Sequence, residues 1–447
     1  MKKAMAILIS IVMCIGLLTG CTSKKESSEN DTTSTDITKT TDATDSTTDT
    51  SSSEEEASAP VTIKVTMWGE GKTEQTLIDE FNKTNTKNIT VELDAIPGDG
   101  YGDRLTTSFS SGDGYDIFLS GEGDFYKWVD LGMVADLDDI ITADTEWTSP
   151  MDPSVLNMGK VEGKQDYMIK DYNPMCLWYN RDLFDQYGVE YPTADWTWDD
   201  LYAAAQKLTT KDSSGNYQTF GFLNQSWSYA VAGYLESKGI SFISDDYSTA
   251  DGYLNSQAMA DALDWYFGLS EGDNRVSPTS GEVGSYGDGG AMLINGKLGM
   301  FISGGWVKSG FDAAGINYGA ALIPDSHKCY YCASGFAVSS SCKNPEAAWE
   351  VLKYITGEEA SELRVKNEAV FPTAEAQLQE VVSALTEYQK PMFESLQYSV
   401  PPVGMRGAVG SATSVAIGEA FDRIVNKDGT TIDILNDAVN KVNDSLK

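Results

Sequence analysis

In VTIKVTMW the apolar side chains fall at Val61, Ile63, Val65 and Met67, every second position, so a strand with one buried face is expected. It runs straight into Trp68-Gly69. The next stretch, TEQTLIDEFNKTN, changes period and places Leu77, Ile78 and Phe81 on one helical face, after which ITVELDAI returns to strand character. GDRLTTSFSSG has helical spacing again. YDIFLSG follows with Ile117, Phe118 and Leu119 in an unbroken apolar run, the form of a parallel strand covered on both faces. An α/β sheet is therefore expected.

Further along, the signals are mostly helical. Thr197 stands three residues before Asp200 at the start of TWDDLYAAAQKL, which is capping-box spacing. NSQAMADALDWYFGLS sets Met259, Ala262, Leu263, Tyr266 and Phe267 on one face. In KNPEAAWEVLKYITG, Asn344 is expected to cap, Pro345 to fill the first helical position and Gly357 to stop the helix. The C-terminal stretch reads as helix on both sides of an Asp428-Gly429 turn. No internal repeat is apparent.

The beginning of the chain has a different character. Lys2 and Lys3 precede an apolar run from Ala4 to Leu18, shorter than the ~20 residues a spanning helix needs. Leu18-Thr19-Gly20-Cys21 closes that run and resembles the bacterial lipobox, in which the cysteine thiol takes a diacylglycerol and becomes the mature N-terminus. Residues 1–20 are thus expected to be a signal peptide and Cys21 the lipidation site, with two or more acyl chains making the anchor stable. From there to Pro60 the chain is Ser, Thr and acidic residues with Ile37 as the one larger aliphatic, a composition that buries no core. Residues 21–60 read as a lipidated, disordered tether.

What remains is longer than one core usually serves, so two domains are expected. The whole chain of 447 residues carries a net charge of −35, and most of it lies beyond the tether. Such a field repels nucleic acid and anionic headgroups. Beyond the leader and Cys21, the cysteines are Cys176, Cys329, Cys332 and Cys342, for which three full pairings exist. Cys329 and Cys332 form a single CxxC accompanied by one histidine, His327, so a disulfide or buried thiols are expected in preference to zinc, and no cofactor is called for.

Several phrases, taken in order, resemble the extracellular solute-binding protein family 1, the maltose-binding-protein-like receptors of ABC importers. They are VTIKVTMWGEGKTEQTLIDEFNKTNTKNITVEL, YDIFLSGEGDFYKWVDLGMVADLDDII, CLWYNRDLFDQYGVEYPTADWTWDDLYAAAQKLT, NGKLGMFISGGW and GFAVSSSCKNPEAAWEVLKYITG. The third is the most specific, and together they cover nearly everything from Val61 to Lys447. The resemblance implies an α/β, two-lobed periplasmic-binding-protein-like fold with a hinge. One lobe would be residues 61–172 plus 333–370, the other 173–332 plus 371–447. It further implies a monomer that takes a small-molecule solute, a mono- or oligosaccharide, and delivers it to ABC permease subunits. With the lipid anchor, it would sit on the outer face of the cytoplasmic membrane.

Sugars present flat C–H faces and rings of hydroxyls, so aromatic planes and fixed polar groups at strand ends are the side chains to look for. Trp68 follows the first strand directly, with Gly69 and Gly71 after it leaving room for a ligand, against the plainer reading of a tryptophan at the edge of the core. Glu122 and Asp124 follow the third strand, where the resemblance implies contacts to hydroxyls and a surface turn is the alternative. Trp306 follows LGMFISGG near a helix start, and its family counterpart commonly stacks on a sugar ring; packing at the hinge is the alternative. Tyr172 at the hinge crossing, Trp227 in NQSWSYA, and Arg406 in PPVGMRGAVG complete the set, with Arg406 serving either the ligand or an interlobe salt bridge. Trp265 and Trp349 lie on apolar helical faces and read as core. Peptide, polyamine or metal-chelate binding is the runner-up, since related two-lobed folds serve such solutes. A glycoside hydrolase is disfavoured because Glu122 and Asp124 share one turn, whereas hydrolases hold their carboxyl pair on separate strands. No GxSxG, GxxxxGK[ST] or HExxH occurs, and no catalytic residue is expected.

Overall fold

The computed structural model describes residues 60–447 apart from 97, 99, 113 and 369. The expected signal peptide, the lipidation at Cys21 and the tether lie outside the described residues.

The described residues open with β1 (Val61–Trp68), α1 (Lys72–Thr84), β2 (Ile89–Ile96), α2 (Tyr101–Ser111) and β3 (Ile117–Gly121). β1 pairs parallel with both β2 and β3, and Ile117, Phe118 and Leu119 are all buried, as their unbroken apolar run predicts. After a run of short helices, β4 (Met168–Pro174) and β5 (Cys176–Asn180) are nearly one continuous strand. α3 (Trp198–Leu208) opens with the expected capping box from Thr197 and Asp200. It is followed by β6 (Thr210–Lys211), β7 (Tyr217–Leu223), α4 (Ser228–Ser237) and α5 (Gln257–Gly268). Then come β8 (Leu298–Ser303), α6 (Val307–Ala314), β9 (Tyr318–Ala321) and β10 (Cys329–Val338). α7 (Pro345–Thr356) and α8 (Glu358–Glu368) precede β11 (Ser399–Val400), α9 (Gly407–Val425) and α10 (Thr431–Ser445). Asn344 occupies the N-cap position of α7, but its side chain makes no capping hydrogen bond.

Two sheets result. The first runs β11-β10-β3-β1-β2 with β4 also on β10, and the second runs β9-β5-β8-β7-β6. Trp349 and Leu352 on α7 pack with Ile63 and Val65 on the first sheet, while α9 and α10 join α4 and α5 in the core of the second. The chain passes between the sheets along paired strands. Tyr172 of β4 stands opposite Ala333 of β10, and Phe371 bridges Tyr172 as well, so the three expected crossing points lie side by side. Cys176, Cys329, Cys332 and Cys342 are free thiols, the first two fully buried.

Candidate functional site

Four strand ends converge beside the crossing. After β1, the Trp68 ring stands edge-on to Tyr101 with centroids 5.6 Å apart. Its far edge reaches Gly121 at the end of β3, where a Cβ would lie 3.9 Å from the indole. Beside Trp68 opens a cavity of about 760 Å³ lined by Glu70, Thr73, Glu74 and Lys170 among others. Glu74 sits between two cations, 3.0 Å from Arg364 and 3.5 Å from Lys170, and Lys170 also pairs with Asp171 at 2.7 Å. Burial alone would raise the Glu74 carboxyl, but Lys170 and Arg364 outweigh it and hold the pKa below its ordinary value.

Glu122, immediately after β3, is only 4% exposed. One carboxyl oxygen accepts the backbone N–H of Ala333 at 2.8 Å, and the other accepts the hydroxyl of Tyr229 near the start of α4. The carboxyl thus ties the first sheet, the crossing strand and the second core together. Burial pushes its pKa up to about 7 even though both hydrogen bonds pull the other way. The same burial, followed by the neighbouring Glu122, drives the Tyr229 hydroxyl well above its ordinary value. Asp124 projects outward, with Lys127 at 3.9 Å.

The second sheet contributes rings. Trp227, at the N-cap of α4, stacks on Tyr229 with centroids 5.0 Å apart, and Trp306 meets Trp227 at 6.0 Å with planes inclined by 63°. Both tryptophans are exposed, at 36% and 37%. The sequence before Trp306 explains its pose. A Cβ on Gly304 would lie 2.0 Å from the indole, so only glycine lets the ring fold back over the end of β8. Gly305 likewise permits close approach of Asn173 on β4, whose side-chain oxygen would meet a Cβ there at 2.6 Å. That oxygen is buried without a hydrogen-bond partner.

The structure therefore gathers Trp68, Glu122, Trp227 and Trp306 around the four strand ends. Tyr172 lies at the crossing but, as the strand neighbour of Asn173, points to the opposite face, where it lines a second cavity of about 760 Å³ with Tyr331 and Phe393. Arg406 is buried in an ion pair with Glu236 at 2.8 Å and donates to the Pro401 carbonyl at 2.9 Å. Its partner is on α4, in the same core as α9, so the pair does not bridge the two sheets. Two contributors went unnoticed in the sequence, Tyr229 and Asn173. The signal for Asn173 was there: Lys170, Asp171 and Asn173 are polar positions in an otherwise apolar strand run.

Residues 68–362 match the family described as bacterial extracellular solute-binding protein. Among solved structures, the ABC substrate-binding protein Lmo0181 from Listeria monocytogenes, in complex with cycloalternan, is 27% identical with a TM-score of 0.75, covering 87% of this chain and 99% of that one. An ABC transporter solute-binding protein from Thermotoga lettingae with α-D-tagatose bound is 21% identical, with a TM-score of 0.73 over 86% of this chain and all (100%) of that one. The maltodextrin-binding protein MdxE of Bacillus subtilis (strain 168) is 23% identical over 470 residues, 100% of this chain and 98% of that protein. The fold is the two-lobed α/β fold of periplasmic binding proteins. The chain belongs to the bacterial extracellular solute-binding protein family.

Proposed function

We propose that this protein captures a mono- or oligosaccharide between its two lobes and passes it to the permease of an ABC importer. The observation that carries this reading is the pairing of exposed Trp227 and Trp306 with buried polar groups, Glu122 and Asn173, at converging strand ends. Rings cover the apolar faces of a sugar, and fixed donors and acceptors read its hydroxyls. The sugars bound by the relatives from Listeria, Thermotoga and Bacillus support the same class. Trp68, Glu122, Trp227 and Trp306 are the proposed contacts, with Asn173 added and Asp124 at the periphery, while Tyr172 lines the cavity on the other face and Arg406 is taken up by Glu236.

The lobes would be residues 61–172 plus 333–370 and 173–332 plus 371–447, meeting where Tyr172 stands beside Ala333 and Phe371. The body would act as a monomer outside the cytoplasmic membrane, held by lipid on Cys21. In keeping with an anchored body, no helix among the described residues is long and apolar enough to cross a membrane. Binding is proposed in place of hydrolysis because Glu122 and Asp124 share one turn and Asp124 projects outward, whereas hydrolases hold their two carboxyls facing the bond from separate strands.

A thermal-shift screen over monosaccharides, maltodextrins and other oligosaccharides tests the reading. A ligand at 100 times its dissociation constant adds about 2.7 kcal/mol to the native state, enough to move the midpoint visibly. A response to peptides or polyamines with none to any saccharide would overturn it.

A further inference from the structure

Glycine is usually called for where φ is positive, and two glycines between the lobes are not of that kind. Gly123 lies in the short turn Glu122–Asp124 after β3, and Gly404 in a similar turn, Val403–Met405, just before α9. Neither takes a left-handed backbone, so each conformation by itself would admit an alanine. What forbids a side chain is the facing lobe. A Cβ on Gly404 would lie 2.6 Å from the Gly123 carbonyl oxygen and 3.3 Å from its Cα, and a Cβ on Gly123 would lie 3.3 Å from the Tyr229 hydroxyl.

Each turn is fixed to its own side of the molecule. Gly123 leads into the helix Phe125–Asp130, whose buried Phe125 stacks on Tyr167 with centroids 3.8 Å apart. Val403 belongs to the core of the second sheet, and a Cβ on Gly410 of α9 would lie 2.2 Å from its carbonyl oxygen. Arg406, directly after the turn, donates to the Pro401 carbonyl and to Glu236 on α4. The approach is thus between two rigid stretches of backbone, beside the point where Glu122 of one lobe accepts the Tyr229 hydroxyl of the other.

We propose that Gly404 sets how far the clamp closes: with no side chain there, the lobes meet backbone to backbone, which brings Tyr229 within reach of Glu122 and fixes the width of the saccharide cleft. This rests on the two-lobed, saccharide-binding reading. A side chain at position 404 acts as a wedge. The lobes stop short of one another, the bond from Tyr229 to Glu122 is broken and water reaches the carboxyl. A ligand that takes contacts from both lobes is held in the closed form, so a clamp that reaches that form about a tenth as often binds about tenfold more weakly.

The full chain carrying Gly404→Leu is tested in two ways, and the first needs no saccharide. Burial holds the Glu122 carboxyl at about 7 in place of 4.5, with Tyr229, Asp171, Tyr331 and Cys332 as its titratable neighbours. Opened to water it returns toward its ordinary value, so the decline in unfolding stability as pH rises through about 7 should flatten. The second is a calorimetric titration with the saccharide found by thermal shift, in which the dissociation constant should weaken about tenfold or more, and less in Gly404→Ala. Gly123→Leu wedges the same contact from the other lobe and should reproduce both effects, which decides the matter if Gly404→Leu does not fold. The parent's pH slope in either folded leucine variant overturns the proposal. A flattened slope in a protein that binds no saccharide supports the closure contact and counts against the sugar reading alone.

Discussion

The ends of β1 and β3 hold their polar groups in a buried network, whereas the ends of β7 and β8 leave aromatic rings exposed. On the first side Glu74, Lys170, Asp171 and Arg364 are linked by ion pairs, and Glu122 is fixed by two hydrogen bonds. On the second, Trp227 and Trp306 keep over a third of their surface open at 36% and 37%. Buried charges hold a shape but contribute little net stability, because desolvation offsets most of their attraction. Rings that are partly covered stabilise the fold through the packed part and keep the open part of their surface for a ligand. The comparison separates a wall whose residues should matter for folding from one whose residues should matter for binding.

The largest effect is expected from breaking the buried network. Arg364→Ala leaves Glu74 with only the longer contact to Lys170 at 3.5 Å, and loss of one partner of a buried pair typically costs about 3 to 5 kcal/mol. Denaturant unfolding measures it, and a loss below about 1 kcal/mol, the range of exposed pairs, would place this network among them.

The two carboxyls of this wall should respond to pH in opposite senses. Glu74 has a lowered folded pKa, so its contribution is present above the unfolded value and is lost as pH falls through the folded one. Glu122 is raised from 4.5 to about 7, so its contribution is full below the unfolded value and is lost as pH rises through about 7. Glu122→Gln should flatten that decline, on the order of 1 to 3 kcal/mol, in unfolding midpoints taken across the window. A variant that keeps the parent's slope there would put the titrating group elsewhere.

Asp124→Asn should have the smallest effect. Its carboxyl is exposed with Lys127 at 3.9 Å, so stability should stay within about 0.5 kcal/mol and saccharide affinity within about twofold. A tenfold change in affinity by titration would move Asp124 from the periphery into the site.

What could be read from the chain was local. The alternation of Val61, Ile63, Val65 and Met67, the Thr197–Asp200 cap and the Gly-Gly-Trp ending at Trp306 each depend on neighbours a few positions away. The hydrogen bond from Tyr229 to Glu122 joins residues 107 positions apart, and the Arg364–Glu74 pair joins residues 290 apart. No periodicity or spacing reports such contacts. Arg406 shows the same limit: its residue type suits a ligand or a salt bridge equally, and only the folded chain brings Glu236 to its guanidinium. The opposite faces taken by Tyr172 and Asn173 follow from strand geometry, but which face meets Trp306 depends on where β8 ends.

The most direct test of the account is a calorimetric titration of Trp306→Ala with the saccharide that most raises the parent's melting midpoint. Losing one stacked aromatic face should cost about 1 to 3 kcal/mol of binding, by analogy with aromatic hot spots, or roughly a ten- to hundredfold weaker dissociation constant. Because the ring is 37% exposed, the stability loss should stay below the roughly 3 to 5 kcal/mol that removing a fully buried tryptophan costs. An unchanged dissociation constant in a folded variant would contradict the stacking role and, with it, the claim that the exposed rings of the second sheet hold the sugar.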